Sequence, residues 1–154
     1  MCGVGNGSDA LELAMLAMGI KKGDEVITAT NSWVSSVNSI INIGAKPVLV
    51  DVKDDFNIDY DQIKKAITKK TKAIMPVHLN GLPSSMKEIC KIAKKNKLKI
   101  IEDSAQAILS KYGNKYVGTI GDVGCFSMHP TKNLGVAGDG GFVVTNNKKI
   151  HKKI

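Results

Sequence analysis

The chain has 154 residues, 43% of them apolar, and a formal net charge of +8. That length and apolar content suit one domain with a real core and exclude a chain disordered by composition. No stretch approaches the roughly 20 apolar residues that a bilayer crossing needs. The opening MCGVGNGSDA lacks the charged-then-apolar order of a signal peptide, so a cytoplasmic protein with no membrane partner is expected.

The charge would fit a nucleic-acid partner, but all 22 basic residues are lysine. Arginine is the side chain that reads phosphates and bases in two-pronged fashion, and its absence argues against sequence-specific recognition. The clusters Lys64/Lys65, Lys69/Lys70/Lys72 and Lys94/Lys95/Lys97/Lys99 read as solvated helix faces and helix ends. Cys2, Cys90 and Cys125 are odd in number and far apart, which encodes neither a disulfide framework nor a zinc site, and they read as small buried hydrophobes. His78, His129 and His151 also lack ligand spacing, so no metal is expected.

In chain order, GVGNGSDAL (3–11) is a glycine-rich loop running into a helix over 9–18, with Leu11, Ala14, Met15 and Met18 on one face. DEVITA (24–29) reads as a strand, then a helix near 32–43 aligns Val34, Val37, Ile40 and Ile41. KPVLVD (46–51) is the next strand. Asp59 and Gln62 resemble a capping box ahead of Ile63, Ala66 and Ile67. KAIMPV (72–77) is a strand, and Ser85 with Glu88 makes a second box ahead of Ile89, Cys90 and Ala93. LKIIED (98–103) and VGCFSM (123–128) are further strands, separated by KYGNKYVG with a hairpin turn at Gly113-Asn114. GGFVVTNN (140–147) has too little chain before it for a crossover helix and should return antiparallel. Repeated β-α-β order implies right-handed crossovers in one mostly parallel α/β sheet, whose ligands gather at the carboxyl ends of the strands.

Three places on that edge can carry chemistry. The amides of Gly7, Ser8 and Asp9 at a helix start would cradle a phosphate, and the same residues serve equally well as an ordinary N-cap. Asp103 ends an apolar strand, where a carboxylate needs either a cation such as a protonated pyridine nitrogen or a structural ion pair or cap. In FSMHPTKNLGVAGDGG (126–141), Lys132 sits among glycines that would let a cofactor approach the backbone. A lysine becomes a nucleophile toward an aldehyde when it is held where its ammonium can lose a proton. Ser127, at the end of the preceding strand, could bond the same phosphate as the first loop, and reads equally as an ordinary strand-end hydroxyl.

GNGSDALELA, GDEVIT, NSW, PVHLNG, IEDSAQA and FSMHPTKNLG with GDGG occur here in the order and spacing of the DegT/DnrJ/EryC1/StrS family, which this chain closely resembles over nearly its whole length. The resemblance implies the pyridoxal 5'-phosphate-dependent, type I aminotransferase fold, a three-layer α/β/α large domain with a mostly parallel sheet and one antiparallel strand. By its place in the motif, Lys132 would form the Schiff base with the cofactor and move the proton during transamination. Asp103 would keep the pyridine nitrogen protonated, Gln106 would lie beside the ring hydroxyl, and Trp33 would stack on the ring, although before the match Trp33 reads as well as plain core. Ser8, the Asp9 amide and Ser127 would hold the phosphate. Some relatives carry histidine at the lysine position and remove a hydroxyl; the lysine here points to amino transfer.

The implied reaction moves an amino group, generally from glutamate, to a keto group of a nucleotide-linked sugar, in a homodimer. The family runs to more than twice this length, so residues 1–154 are expected to be the cofactor-binding core without the N-terminal arm and small domain, and the isolated chain an incomplete enzyme. Two other readings stand beside it. One is another type I activity such as a cysteine desulfurase, which needs a mobile reactive cysteine, or an aldolase; the other is a non-catalytic fragment that binds cofactor or pairs with a partner chain.

Overall fold

The computed structural model describes residues 1–154 and forms one seven-stranded sheet with helices on both faces. The strands are β1 (Cys2–Val4), β2 (Glu25–Ala29), β3 (Lys46–Val50), β4 (Thr71–Met75), β5 (Lys99–Asp103), β8 (Val123–Ser127) and β9 (Gly141–Val144). Their spatial order is β1-β9-β8-β5-β4-β2-β3. A separate two-stranded hairpin, β6 (Lys111–Tyr112) with β7 (Lys115–Tyr116), turns at Gly113-Asn114 as expected. The pairs from β3 through β8 are parallel, whereas β9 is antiparallel to both β8 and β1. β9 is therefore the one reversed strand, and β1 and β8 on either side of it deliver their chain to the same edge.

The β-branched runs seen in the sequence fit this sheet because both faces are covered. α1 (Gly7–Ala17) and α2 (Val34–Asn42) cover one face, where Leu11, Ala14, Met15 and Ile40 pack on Val26, Ala73, Met75, Ile101, Val123 and Cys125. α3 (Tyr60–Ala66) and α4 (Met86–Asn96) cover the other, where Ile63, Met86, Ile89 and Ala93 pack on Ile27, Ile74 and Ile100. Neighbouring residues in one strand, such as Ile100 and Ile101, thus belong to opposite cores, the period-two rule of an extended chain. No helix is long and apolar enough to cross a membrane.

Several local expectations need correction. The stretch before the first helix holds the short edge strand β1, and α1 starts at Gly7 rather than residue 9 because Asn6 caps it. Asp59 does cap α3, but through the Asp61 amide at 2.8 Å. Ser85 precedes α4 without any side-chain cap bond, so the Ser85/Glu88 box does not form. A short helix, α5 (Lys148–His151), capped by Asn147, follows β9. Of the three cysteines only Cys125 is fully buried; Cys2 and Cys90 are partly exposed. Lys64/Lys65 and Lys94/Lys95 occupy the last turns of α3 and α4, the favourable end of each helix dipole.

Candidate active site

The carboxyl edge of the sheet gathers the residues singled out in the sequence. Asp103 ends β5 on the α1/α2 face and is only 5% exposed. Its Oδ2 accepts from Ser36 Oγ at 2.7 Å, and its Oδ1 accepts from the Ala105 N–H at 3.2 Å. Burial raises the Asp103 carboxyl above the ordinary aspartate value, while the hydrogen bonds from Ser36 and the Ala105 amide and the charge of Lys132 pull it back. Lys132 therefore lies near enough for its charge to bear on Asp103.

Lys132 is half-buried in the loop between β8 and β9, and its N–H donates to His129 O at 2.8 Å. That loop closes on itself, the Met128 N–H donating to Gly140 O at 2.7 Å and the Val136 N–H to Met128 O at 2.9 Å. Lys132 and Gln106 line the same cleft, of about 420 Å³, together with Asn80, Ser110 and Thr131; Asp103 is not part of its wall. Gln106 Oε1 accepts from the Asn80 N–H at 2.9 Å, which fixes the carboxamide and leaves its NH2 group as the free donor. A larger hollow of about 570 Å³ opens at the amino edge, between the α3–β4 and α4–β5 connections, and shares no residue with this group.

The phosphate-cradle residues also meet. A Cβ on Gly7 would stand 2.7 Å from Ser127 Cβ, and one on Gly141 would collide with Asn6 O, so glycine is required at both close approaches. The start of α1, the end of β8 and the start of β9 are thereby brought into backbone contact. The Asp9 N–H donates to Asn6 Oδ1 at 2.8 Å and so belongs to the helix cap. The Gly7 and Ser8 amides lie ahead of the first intrahelical bond, from the Ala10 N–H to Asn6 O. Ser127 Oγ accepts from the His129 N–H at 3.3 Å and keeps its own proton to donate. Two amides and a hydroxyl beside a glycine gap fit an anionic group.

Trp33 stands at the N-cap of α2 and is 69% exposed, which removes the plain-core reading. Ser36, one turn further along α2, is the residue that reaches Asp103. Ser36 and Asn80 went unnoticed in the sequence: neither carries a distinguishing motif, and only the fold brings them to Asp103 and Gln106. A third feature that escaped notice is a sealed pair, His78 Nε2 to Glu102 Oε2 at 3.0 Å, both fully buried. Glu102 also accepts from the Gly118, Ile120 and Gly121 amides at 2.6–2.7 Å, and His78 Nδ1 accepts from the Ser84 N–H at 3.1 Å. The only possible clue to it was a glutamate inside an otherwise apolar strand.

The chain is 49% identical over 152 residues to a protein named pleiotropic regulatory protein from Geobacillus stearothermophilus, covering 98% of this chain and 41% of the relative. It is 48% identical over 153 residues to a UDP-N-acetyl-3-dehydro-alpha-D-glucosamine 3-aminotransferase from Acidithiobacillus ferrooxidans, covering 99% of this chain and 42% of that one. Among solved structures, NtdA from Bacillus subtilis with bound cofactor PMP superposes with a TM-score of 0.91 at 40% identity, over 98% of this chain and 34% of that chain. The chain thus spans about two fifths of the curated relatives it matches. The family model of the DegT/DnrJ/EryC1/StrS aminotransferases matches residues 1–154, and the chain belongs to that family.

Proposed function

We propose that residues 1–154 form the cofactor-binding large-domain core of a pyridoxal 5'-phosphate-dependent aminotransferase that moves an amino group from glutamate to a keto group of a nucleotide-linked sugar. The bound cofactor would supply an electron sink for the carbon that loses its proton. Asp103 would face the ring nitrogen and hold its proton there, and its two remaining acceptor sites suit that task. Gln106 would donate its NH2 to the ring hydroxyl, and Trp33 would cover the ring face and exclude water. Ser127 and the Gly7 and Ser8 amides would anchor the phosphate, with Asp9 serving the helix start instead. Lys132 Nζ would hold the cofactor and then carry the proton between carbons.

The observation that carries this reading is that Lys132 shares a cleft with Gln106, just beyond the buried strand-end aspartate, and that its charge bears on that carboxylate. Sugar and donor pockets, and assembly as a homodimer, would draw on chain beyond these residues. The bare apolar groups Trp33, Leu109 and Leu134 near this edge are suited to being covered by it. The desulfurase alternative fits less well at Cys90 and Cys125, whose thiols burial raises, disfavouring the reactive thiolate.

Added pyridoxal phosphate should produce a visible absorption band in the wild-type protein and none in Lys132→Ala. A band of unchanged position and intensity in Lys132→Ala would refute the role of that amine.

A further inference from the structure

Asp103 is held from behind by a chain of hydroxyls. Ser36 Oγ lies 2.7 Å from Asp103 Oδ2 and 2.6 Å from Ser32 Oγ. A serine hydroxyl has one proton; when Ser36 gives it to the carboxylate, Ser32 must be the donor in the second contact. The order is thus fixed as Ser32 to Ser36 to Asp103. Ser32 immediately precedes Trp33, the N-cap of α2, whose side chain forms no cap bond.

Packing does not explain Ser36. It is 1% exposed on the helix face that also carries Ile40, a place where serine is a poorer helix former than alanine and buries a polar group. An alanine there would satisfy the core and leave Asp103 Oδ2 without its donor. We propose that Ser36 is a positioning residue for Asp103, completing a relay from Ser32 that fixes the carboxylate on its buried side and ties to it the loop carrying Trp33. The groups that would meet the edge and the face of the cofactor ring are then set relative to each other by two hydrogen bonds.

The inference rests on the cofactor reading for its meaning, but the relay can be measured without cofactor. The charged and titratable groups around Asp103 are His78 from the end of β4, Lys132 from the β8–β9 loop, Cys125 on β8 and the adjacent Glu102. Both Ser36 and the Ala105 amide favour the ionised carboxylate, so removing Ser36 must raise the pH at which Asp103 takes up its proton. In cofactor-free protein, the infrared carbonyl stretch of the buried acid, assigned by its loss in Asp103→Asn, follows that titration.

Ser36→Ala should move the midpoint up by roughly one pH unit and weaken retention of pyridoxal phosphate about tenfold. Ser32→Ala should give a smaller shift in the same direction, and no further shift when added to Ser36→Ala, because both act through one bond. An unchanged midpoint in Ser36→Ala overturns the relay, as does a full additional effect of Ser32→Ala in that background. Wild-type cofactor retention by Asp103→Asn would instead overturn the proposed function, leaving the infrared midpoints to judge the relay alone.

Discussion

Glu102 and Asp103 are neighbours on one strand, both buried, and they are treated in opposite ways. Glu102 faces the α3/α4 side, where three backbone amides and His78 saturate its carboxylate. Asp103 faces the α1/α2 side with two donors and room for more. A carboxylate with every acceptor site filled holds parts of the fold together, here the loop ahead of β8 and the segment after β4. One kept partly unfilled at a strand end is available to a ligand. The contrast separates a saturated acid from one with acceptor sites to spare without reference to any other protein.

Substitutions should divide along the same line. Glu102→Ala leaves three amides and an imidazole without their acceptor, and a loss of about 3–5 kcal/mol in chemical denaturation is expected. A loss under 1 kcal/mol would break the distinction. Asp103→Asn should keep the fold, changing stability by about 1 kcal/mol or less near neutral pH, while abolishing cofactor retention. The pH dependence sharpens this. Since the folded Asp103 binds its proton more tightly than an ordinary aspartate, its contribution makes stability fall as pH rises from the usual aspartate range through its raised value. Asp103→Asn should flatten that limb of the stability profile in cofactor-free protein, and an unchanged slope would count against the burial argument. The smallest effect on folding belongs to Trp33→Ala: with the ring largely in solvent, the unfolding free energy in chemical denaturation should change by about 0.5 kcal/mol at most, while cofactor affinity falls several-fold.

Much of this was legible in the sequence because the signals were periodic. Apolar runs bounded by helical segments gave β2, β3, β4, β5 and β8 nearly to the residue, and the short connection before Gly141 gave the reversal of β9. What escaped lacked a pattern. β1 is three residues long, too short for alternation to register, and exists because β9 offers it a partner. Ser85 has the right spacing to Glu88, but its backbone at φ −66 and ψ 66 is not the extended cap conformation, and its side chain forms no cap bond. At the site, Lys132 and Asp103 stood out by their settings, one among glycines and the other closing an apolar strand. Ser36 and Asn80 became visible only through the partners that folding brings them.

The reversed strand has a consequence for synthesis on the ribosome. Cys2 pairs with Val143, far along the chain, and the glycine that seats the start of α1 against its neighbour is Gly141. The parallel strands β2, β3, β4, β5 and β8 all precede β9 in the chain, whereas the pairing of β1 with β9 spans them all and must wait. A nascent chain therefore carries Asp103 in place before the start of α1 has its neighbours, and the edge where those elements meet is completed last.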